Sequence, residues 1–145
     1  TGVQTCALPI SVGALIVKNN KFLLCKRAIE PGYGLWSLPS GFVDGHEDIQ
    51  KAVIREAREE ANINIKIKKL MAIFSVTKKN IIQIIFLAEM IGKKFKPGIE
   101  SLEVRFFSYK DIPWKKLAFV NVEWILKFYK KNKKTSKNDV FLRKD

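Results

Sequence analysis

The hydrophobic positions of the chain fall into runs that predict strands and runs that predict helices. Two apolar runs, residues 12–17 and 22–26, flank the dipeptide Asn19–Asn20, which suits the two-residue turn of a β-hairpin. Alternation of Ile63, Ile65 and Ile67 with polar residues predicts a half-buried strand that continues toward residue 76. Further strands are predicted at 36–38, 81–90 and 104–109.

Two other segments carry apolar residues at helical spacing. In the first, residues 47–61, the apolar positions lie in one direction at about 100° per residue. They are Ile49, Ala52, Val53 and Ala57. The second segment, residues 120–129, predicts an amphipathic helix near the end of the chain. One domain with two main helices and mixed strands suits an α/β/α sandwich with a mixed β-sheet.

The inward face of the first predicted helix ends in three carboxylates. Glu56, Glu59 and Glu60 fall within roughly one third of the circumference. Like charges this close repel one another, and partial burial adds to the cost. Hard divalent cations, which bind oxygen ligands, would relieve that cost, so the segment predicts an Mg²⁺ or Mn²⁺ site. The alternative is an ordinary solvated face, since Arg55 and Glu59 have the i,i+4 spacing of a helical ion pair.

The spacing of the flanking residues favours the metal site. The segment resembles the signature of the Nudix hydrolases, G-x5-E-x7-R-E-U-x-E-E-x-G-U, where U is aliphatic. The matching residues are Gly41, Glu47, Arg55, Glu56, Ala57, Glu59, Glu60 and Ile63. Asn62 replaces the second glycine of the signature, and Asn is the next best residue for a left-handed position after a helix. The resemblance implies the Nudix fold for residues 11–133.

The resemblance also implies roles for individual residues. Nudix enzymes hydrolyse a nucleoside diphosphate linked to another group, with Mg²⁺ or Mn²⁺ as the cofactor. Glu56, Glu59 and Glu60 would hold the ions together with the backbone carbonyl of Ser40. Which glutamate acts as a general base, if any does, stays open. Arg55 would complete the catalytic set by orienting the carboxylates through charge-assisted hydrogen bonds.

Other residues of the motif have structural roles, and one more ligand is expected outside it. Gly41, Glu47 and Asn62 form the structural part of the motif. Glu47 falls nearly opposite the ligand face of the helix and is expected to brace the loop or to pair with a basic residue. The string ESLEVRFF resembles a family segment that selects Glu100 as a further metal ligand, ahead of Glu103. An exposed loop carboxylate is the alternative for both.

The strings AIEPGYGLWSLPSGFVDGHE and PGIESLEVRFFSYKDIPWKKLAFVNV resemble a subgroup that acts on ADP-ribose and FAD. Members of this subgroup often carry an N-terminal zinc ribbon. Hydrolysis of the pyrophosphate bond would release AMP. A house-cleaning nucleoside triphosphate pyrophosphohydrolase and a non-catalytic nucleotide-binding module stay open as alternatives. Four aromatic residues could stack on an adenine or flavin ring, with core or loop packing as the alternative: Tyr33, Trp36, Phe74 and Phe119.

The net charge of +13 comes mostly from Lys and accompanies many Ile and Asn residues. Their codons are A/T-rich, so a skewed genome explains the charge. Without an RNA-binding motif, the charge is weak evidence for nucleic acid. A small anionic nucleotide is the expected partner, and a homodimer is left open. Apolar runs are too short to span a membrane.

The two ends of the chain are expected to lie outside the domain. Residues 1–10, when back-translated, fit a common sequencing adapter, so we expect the native N-terminus and any zinc ribbon to lie upstream. Excluding Cys6 leaves Cys25 in an apolar run, which offers no disulfide framework and suits a cytoplasmic setting. Residues 134–145 are expected to form a basic, flexible tail.

Overall fold

The computed structural model describes residues 9–133 and 139–144. In these ranges the strands are β1 (Ile10–Lys18), β2 (Lys21–Arg27), β3 (Trp36–Ser37), β4 (Ser40–Phe42), β5 (Asn64–Val76), β6 (Ile81–Ile91), β7 (Ser101–Ser108) and β8 (Phe141–Lys144). The α-helices are α1 (Ile49–Ala61), between β4 and β5, and α2 (Val120–Asn132), between β7 and β8. No helix in the described ranges is long and apolar enough to cross a membrane.

The strands form one mixed sheet in the order β3-β2-β1-β6-β5-β8, with β4 paired to β1 and β7 paired to β2. The β1–β6 and β5–β8 pairs are parallel, and the other strand pairs are antiparallel. One core cluster lies between the sheet and α1, and a second lies between the sheet and α2. The predicted α/β/α sandwich is therefore confirmed.

Local sequence explains the turns that position the elements. Asn19 and Asn20 both have positive φ, 50° and 63°, as a type I′ hairpin between β1 and β2 requires. The Asp48 side chain accepts hydrogen bonds from the amides of Gln50 and Lys51, which caps the N-terminus of α1. Asn62 adopts the left-handed conformation at the other end, with φ 49° and ψ 37°.

The apolar face of α1 anchors the helix that carries the glutamates. Ala52, Val53, Ala57 and Ala61 are fully buried against the sheet. Small side chains let the helix approach the strands closely, and the next positions on the same face are Glu56 and Glu60. Packing of the helix therefore draws these two carboxylates into the protein.

The prediction of a flexible tail is wrong for residues 141–144, which form β8 and pair with β5. Phe141 stacks on Phe128 with 4.5 Å between ring centroids, and the guanidinium carbon of Arg143 lies 4.0 Å from the centroid of Trp124. These aromatic contacts outweigh the polar composition of the segment. Residues 134–138 and 145 lie outside the described residues.

The structure also bears on the predicted boundary at the N-terminus. Residues 1–8 lie outside the described residues. The Pro9 carbonyl accepts a hydrogen bond of 3.2 Å from the amide of Ile82, and Ile10 begins β1. The sheet therefore begins slightly earlier than the predicted boundary at residue 11. The adapter origin of this segment stays a prediction.

Candidate metal centre

Two of the three glutamates of α1 are buried side by side beneath β4. Glu56 and Glu60 are 8% and 9% exposed, whereas the side chain of Glu59 is 58% exposed. The helical spacing of four residues puts the two buried carboxylates one above the other on the face that packs against the sheet. Burial of two like charges costs free energy, and this cost must be met by partners or by a bound cation.

Glu60 is the more strongly perturbed carboxylate. Its Oε2 atom accepts a 2.6 Å hydrogen bond from the backbone amide of Ser40. Burial raises the pKa of Glu60 to about 8, and the negative charges of Glu56 and Glu100 add to the rise. The Ser40 hydrogen bond and the charge of Arg27 act in the opposite direction. The site thus places Glu60 where its ionised form needs additional positive charge.

Glu56 occupies the space that Gly41 leaves empty. A Cβ atom at position 41 would lie 2.3 Å from the carboxyl carbon and from Oε1 of Glu56. Burial raises the pKa of Glu56, and the neighbouring guanidinium of Arg55 opposes that rise. The glycine is therefore needed for space, since its own φ lies outside the left-handed region.

Arg55 joins the carboxylates of the motif into one network. Its Nε and Nη2 atoms donate to the two oxygens of Glu47 at 2.8 and 2.9 Å, a bidentate pair that lowers the pKa of Glu47. Its Nη1 atom donates to Glu56 at 2.8 Å and to Glu59 at 3.2 Å. A further bond from Nη2 to the carbonyl of Phe42, 3.1 Å long, ties the network to β4. Arg55 thus fixes the positions of three carboxylates at once.

The two candidates for a fourth ligand lie in different surroundings. Glu100 follows Gly98, whose backbone amide donates to the carbonyl of Glu60 at 3.0 Å, and the negative charge of Glu100 adds to the raised pKa of both Glu56 and Glu60. Glu103 instead accepts a hydrogen bond from Arg105 on β7. Of the two candidates, Glu100 is therefore the one on the turn that is hydrogen-bonded to α1.

The donor set suits a hard divalent cation. All the available side-chain ligands are carboxylate oxygens, the ligand type that Mg²⁺ and Mn²⁺ prefer. Within the described ranges no group of three His, Cys, Asp or Glu side chains is already arranged as a metal site. The carboxylates are held instead by Arg55 and by the Ser40 amide. Bound cations would take over that role and bring the buried negative charges into one coordination sphere.

The four aromatic residues predicted to bind substrate divide into two pairs. Tyr33 is 57% exposed, and Phe119 lies with Arg27 Cζ and Lys79 Nζ each 5.1 Å from its ring centroid. Trp36 and Phe74 are 6% and 0% exposed. For these two the substrate-binding prediction is wrong and the alternative of core packing holds, because neighbouring rings cover them. Trp36 packs edge-on against Phe107, and Phe74 packs edge-on against Trp124 and Phe141.

Sequence reasoning missed two residues at this site. Arg27 ends β2, and its charge lowers the pKa of Glu60. Gly98 is in contact with α1, since a Cβ atom there would lie 1.7 Å from the carbonyl oxygen of Glu59. The Pro97–Gly98 dipeptide marks a turn in the sequence, but nothing in it indicates which element the turn contacts.

Comparison with known proteins identifies the family. The model of the NUDIX domain matches residues 7–129. The ADP-ribose pyrophosphatase of Methanocaldococcus jannaschii is 37% identical over 124 residues, which cover 83% of this chain and 72% of that protein.

Two solved structures are similar over nearly the whole chain. A NUDIX hydrolase from Nitrosomonas europaea is 36% identical with a TM-score of 0.93, and the match covers 98% of this chain and 81% of the other. An ADP-ribose pyrophosphatase from Streptococcus suis is 25% identical with a TM-score of 0.71, covering 96% of this chain and 100% of the other. Nudix hydrolases generally need a divalent metal and act on small nucleotides. The resemblance seen in the signature is confirmed, and the chain belongs to the Nudix hydrolase family of enzymes.

Proposed function

We propose that this protein hydrolyses the pyrophosphate bond of ADP-ribose, FAD or a related dinucleotide and releases AMP. The observation that carries the proposal is the pair of buried carboxylates, Glu56 and Glu60, on one face of α1. A non-catalytic nucleotide-binding module would have no need to bury this much negative charge. The name of the Methanocaldococcus jannaschii relative, an ADP-ribose pyrophosphatase, supports this choice of substrate.

The proposed cofactor is Mg²⁺, with Mn²⁺ as a substitute. Glu56, Glu59, Glu60 and Glu100 would hold it, together with the carbonyl of Ser40. When bound, such ions neutralise charge on the phosphate oxygens and lower the pKa of a bound water. Arg55 holds Glu56 and Glu59 in register, and the Ser40 amide does the same for Glu60. Geometry fixed before substrate arrives lowers the entropic cost of reaching the transition state.

Residues beside the carboxylates would bind the nucleotide. Two cationic groups, those of Arg27 and Lys79, lie near the ring of Phe119. We propose that these two cations contact the phosphate groups and that Phe119 or the exposed Tyr33 contacts the base. The net charge of +13 would also attract an anionic substrate. Cys25, free and buried in β2, is compatible with the reducing cytoplasm that we propose as the setting.

The test is a product assay on purified protein. AMP release from ADP-ribose, FAD and NADH is measured beside pyrophosphate release from nucleoside triphosphates, with Mg²⁺ and with EDTA. Glu60→Gln and Glu100→Gln are expected to lose activity by at least about 100-fold and about 10-fold, respectively. Glu103→Gln is the matched control, because this carboxylate lies on the same segment but pairs with Arg105.

Each alternative function predicts a different outcome. Pyrophosphate release from nucleoside triphosphates, with ADP-ribose left intact, would identify a triphosphate pyrophosphohydrolase. Nucleotide binding that persists in EDTA without any turnover would identify a binding module. AMP release from ADP-ribose that survives EDTA would contradict the proposed metal site.

A further inference from the structure

The segment that joins β6 to β7 is attached to the C-terminal end of α1. The amide of Lys96 donates to the carbonyl of Ala61 at 2.9 Å, and the amide of Gly98 donates to the carbonyl of Glu60 at 3.0 Å. Carbonyls in the last turn of a helix have no partner within the helix, so these two bonds satisfy them. The segment, residues 92–100, thus serves as the C-terminal cap of the helix that carries the glutamates.

Asn62 adds two hydrogen bonds to this attachment. Its Nδ2 atom donates to the carbonyl of Lys96 at 3.1 Å and to the carbonyl of Pro97 at 3.2 Å. The glycine of the family signature would adopt the same left-handed backbone but could not make either bond. The departure from the signature therefore supplies contacts that the signature residue lacks.

Gly98 lets the segment approach α1 without any gap. The position of a Cβ atom there, 1.7 Å from the carbonyl oxygen of Glu59, would overlap the helix backbone itself. Backbone atoms cannot swing aside as a flexible side chain can. The backbone of the segment therefore packs directly against the backbone of the residues that carry the proposed metal-binding carboxylates.

Glu100 lies two residues beyond this contact and is fixed on its other side as well. The amide of Ser101 donates to the carbonyl of Gly98 at 3.1 Å, which closes a turn around Glu100. The carbonyl of Glu100 accepts a 2.9 Å hydrogen bond from the amide of Ala28. Glu100 itself is exposed, so packing of its side chain does not fix it. Its position relative to α1 depends instead on these backbone hydrogen bonds and on the bonds from Asn62.

We propose that Asn62 is a positioning residue that holds the 96–100 turn against α1 and so keeps Glu100 beside Glu56 and Glu60. The inference rests on the proposed function in one respect, the assignment of Glu100 to the metal centre. A purely structural role, in which Asn62 only ends the helix, makes a different prediction, because glycine ends a helix equally well.

The experiment compares Asn62→Gly with Ile125→Val, a control on the buried face of α2, which packs against the other face of the sheet. Three quantities are measured: hydrogen exchange at the amides of Lys96 and Gly98, Mn²⁺ affinity of the substrate-free protein, and turnover of ADP-ribose. We expect Asn62→Gly to speed exchange at both amides and to weaken Mn²⁺ binding roughly 10-fold. Ile125→Val should lower the thermal midpoint without either change. Asn62→Asp, which keeps the size of the side chain and removes the donor, should also speed exchange at the two amides.

Wild-type protection of the two amides in Asn62→Gly, or unchanged Mn²⁺ affinity, would overturn the inference. An unchanged Mn²⁺ affinity in Glu100→Gln would overturn it too, because positioning Glu100 would then have no effect on the metal. Failure of the proposed function alone has a separate signature: no AMP from ADP-ribose in the wild type, with the exchange and Mn²⁺ differences intact.

Discussion

Replacement of Gly41 by alanine should separate activity from stability. The added Cβ atom would lie 2.3 Å from the carboxyl carbon of Glu56, about 1 Å closer than the 3.4 Å of ordinary contact. The strand backbone is held by pairing with Val12, so the end of the flexible Glu56 side chain is the part that moves. Displacement, by about 1 Å, of a carboxylate that is proposed to bind the metal is expected to lower kcat by roughly 100-fold.

The cost in stability should be small by comparison. Moving Glu56 breaks its hydrogen bond with Arg55, and a bond to a charged group is worth about 1.5–3 kcal/mol. Alanine recovers about 0.4–1 kcal/mol by restricting the unfolded chain. The free energy of unfolding should therefore fall by about 1–2 kcal/mol, which a domain stable by about 5–15 kcal/mol tolerates.

The assay measures AMP release from ADP-ribose beside a urea titration of the same preparation. Gly45→Ala is the matched control, since a Cβ atom at position 45 has nothing within 4 Å, so kcat should stay unchanged and the free energy of unfolding should rise by no more than the same amount, about 0.4–1 kcal/mol. Wild-type kcat in Gly41→Ala would refute the reasoning. Loss of folding in place of activity would show that the carboxylate cannot move and that the strand yields.

Three further predictions concern charge and packing. In the metal-free protein the pKa of Glu60 is about 8 in the folded state, against an ordinary value of 4.5 for a glutamate. The folded state therefore binds more protons than the unfolded state over this range, so the free energy of unfolding should fall as the pH rises from about 4.5 to 8. Urea titrations should give a slope of up to about 1.4 kcal/mol per pH unit for this group, and Glu60→Gln should reduce the slope. Arg55→Lys should lower kcat about 10- to 100-fold in steady-state assays, because an ammonium cannot reproduce the bidentate pair with Glu47. A kcat within twofold of wild type would count against a role of the Arg55 hydrogen-bond network in catalysis. Phe74→Leu should lower the free energy of unfolding by about 1 kcal/mol or more while KM stays constant; a raised KM would restore Phe74 as a substrate residue.

Sequence alone was sufficient where a local rule decided the structure. Two Asn residues between apolar runs predicted the hairpin, and both have the positive φ of that turn. The period of Ile49, Ala52 and Val53 predicted the face that α1 buries. The family signature predicted that the charges of α1 would turn inward, against the ordinary expectation for a helix of alternating Arg and Glu.

Sequence was insufficient where contacts between distant segments decided it. Phe74 lies in an apolar run and Tyr33 in a loop, and the sequence does not show that Phe74 is buried while Tyr33 is exposed. Phe74 is buried because it packs against Trp124 of α2. β4 pairs with β1 although its three residues, beginning at Ser40, have no strand pattern. The contact of Gly98 with Glu59 links residues 39 positions apart, which no local pattern can predict.

The pairing of β8 with β5 has a practical consequence for handling the protein. Without β8, residues Ala72–Ser75 of β5 would present unpaired amides and carbonyls along the outer edge of the sheet. An exposed edge of this kind can recruit a strand from a second molecule and start aggregation. Removal of the last dozen residues as an apparent disordered tail would therefore risk insoluble material, and an affinity tag at that end should be joined through a spacer that leaves Phe141 free to pack.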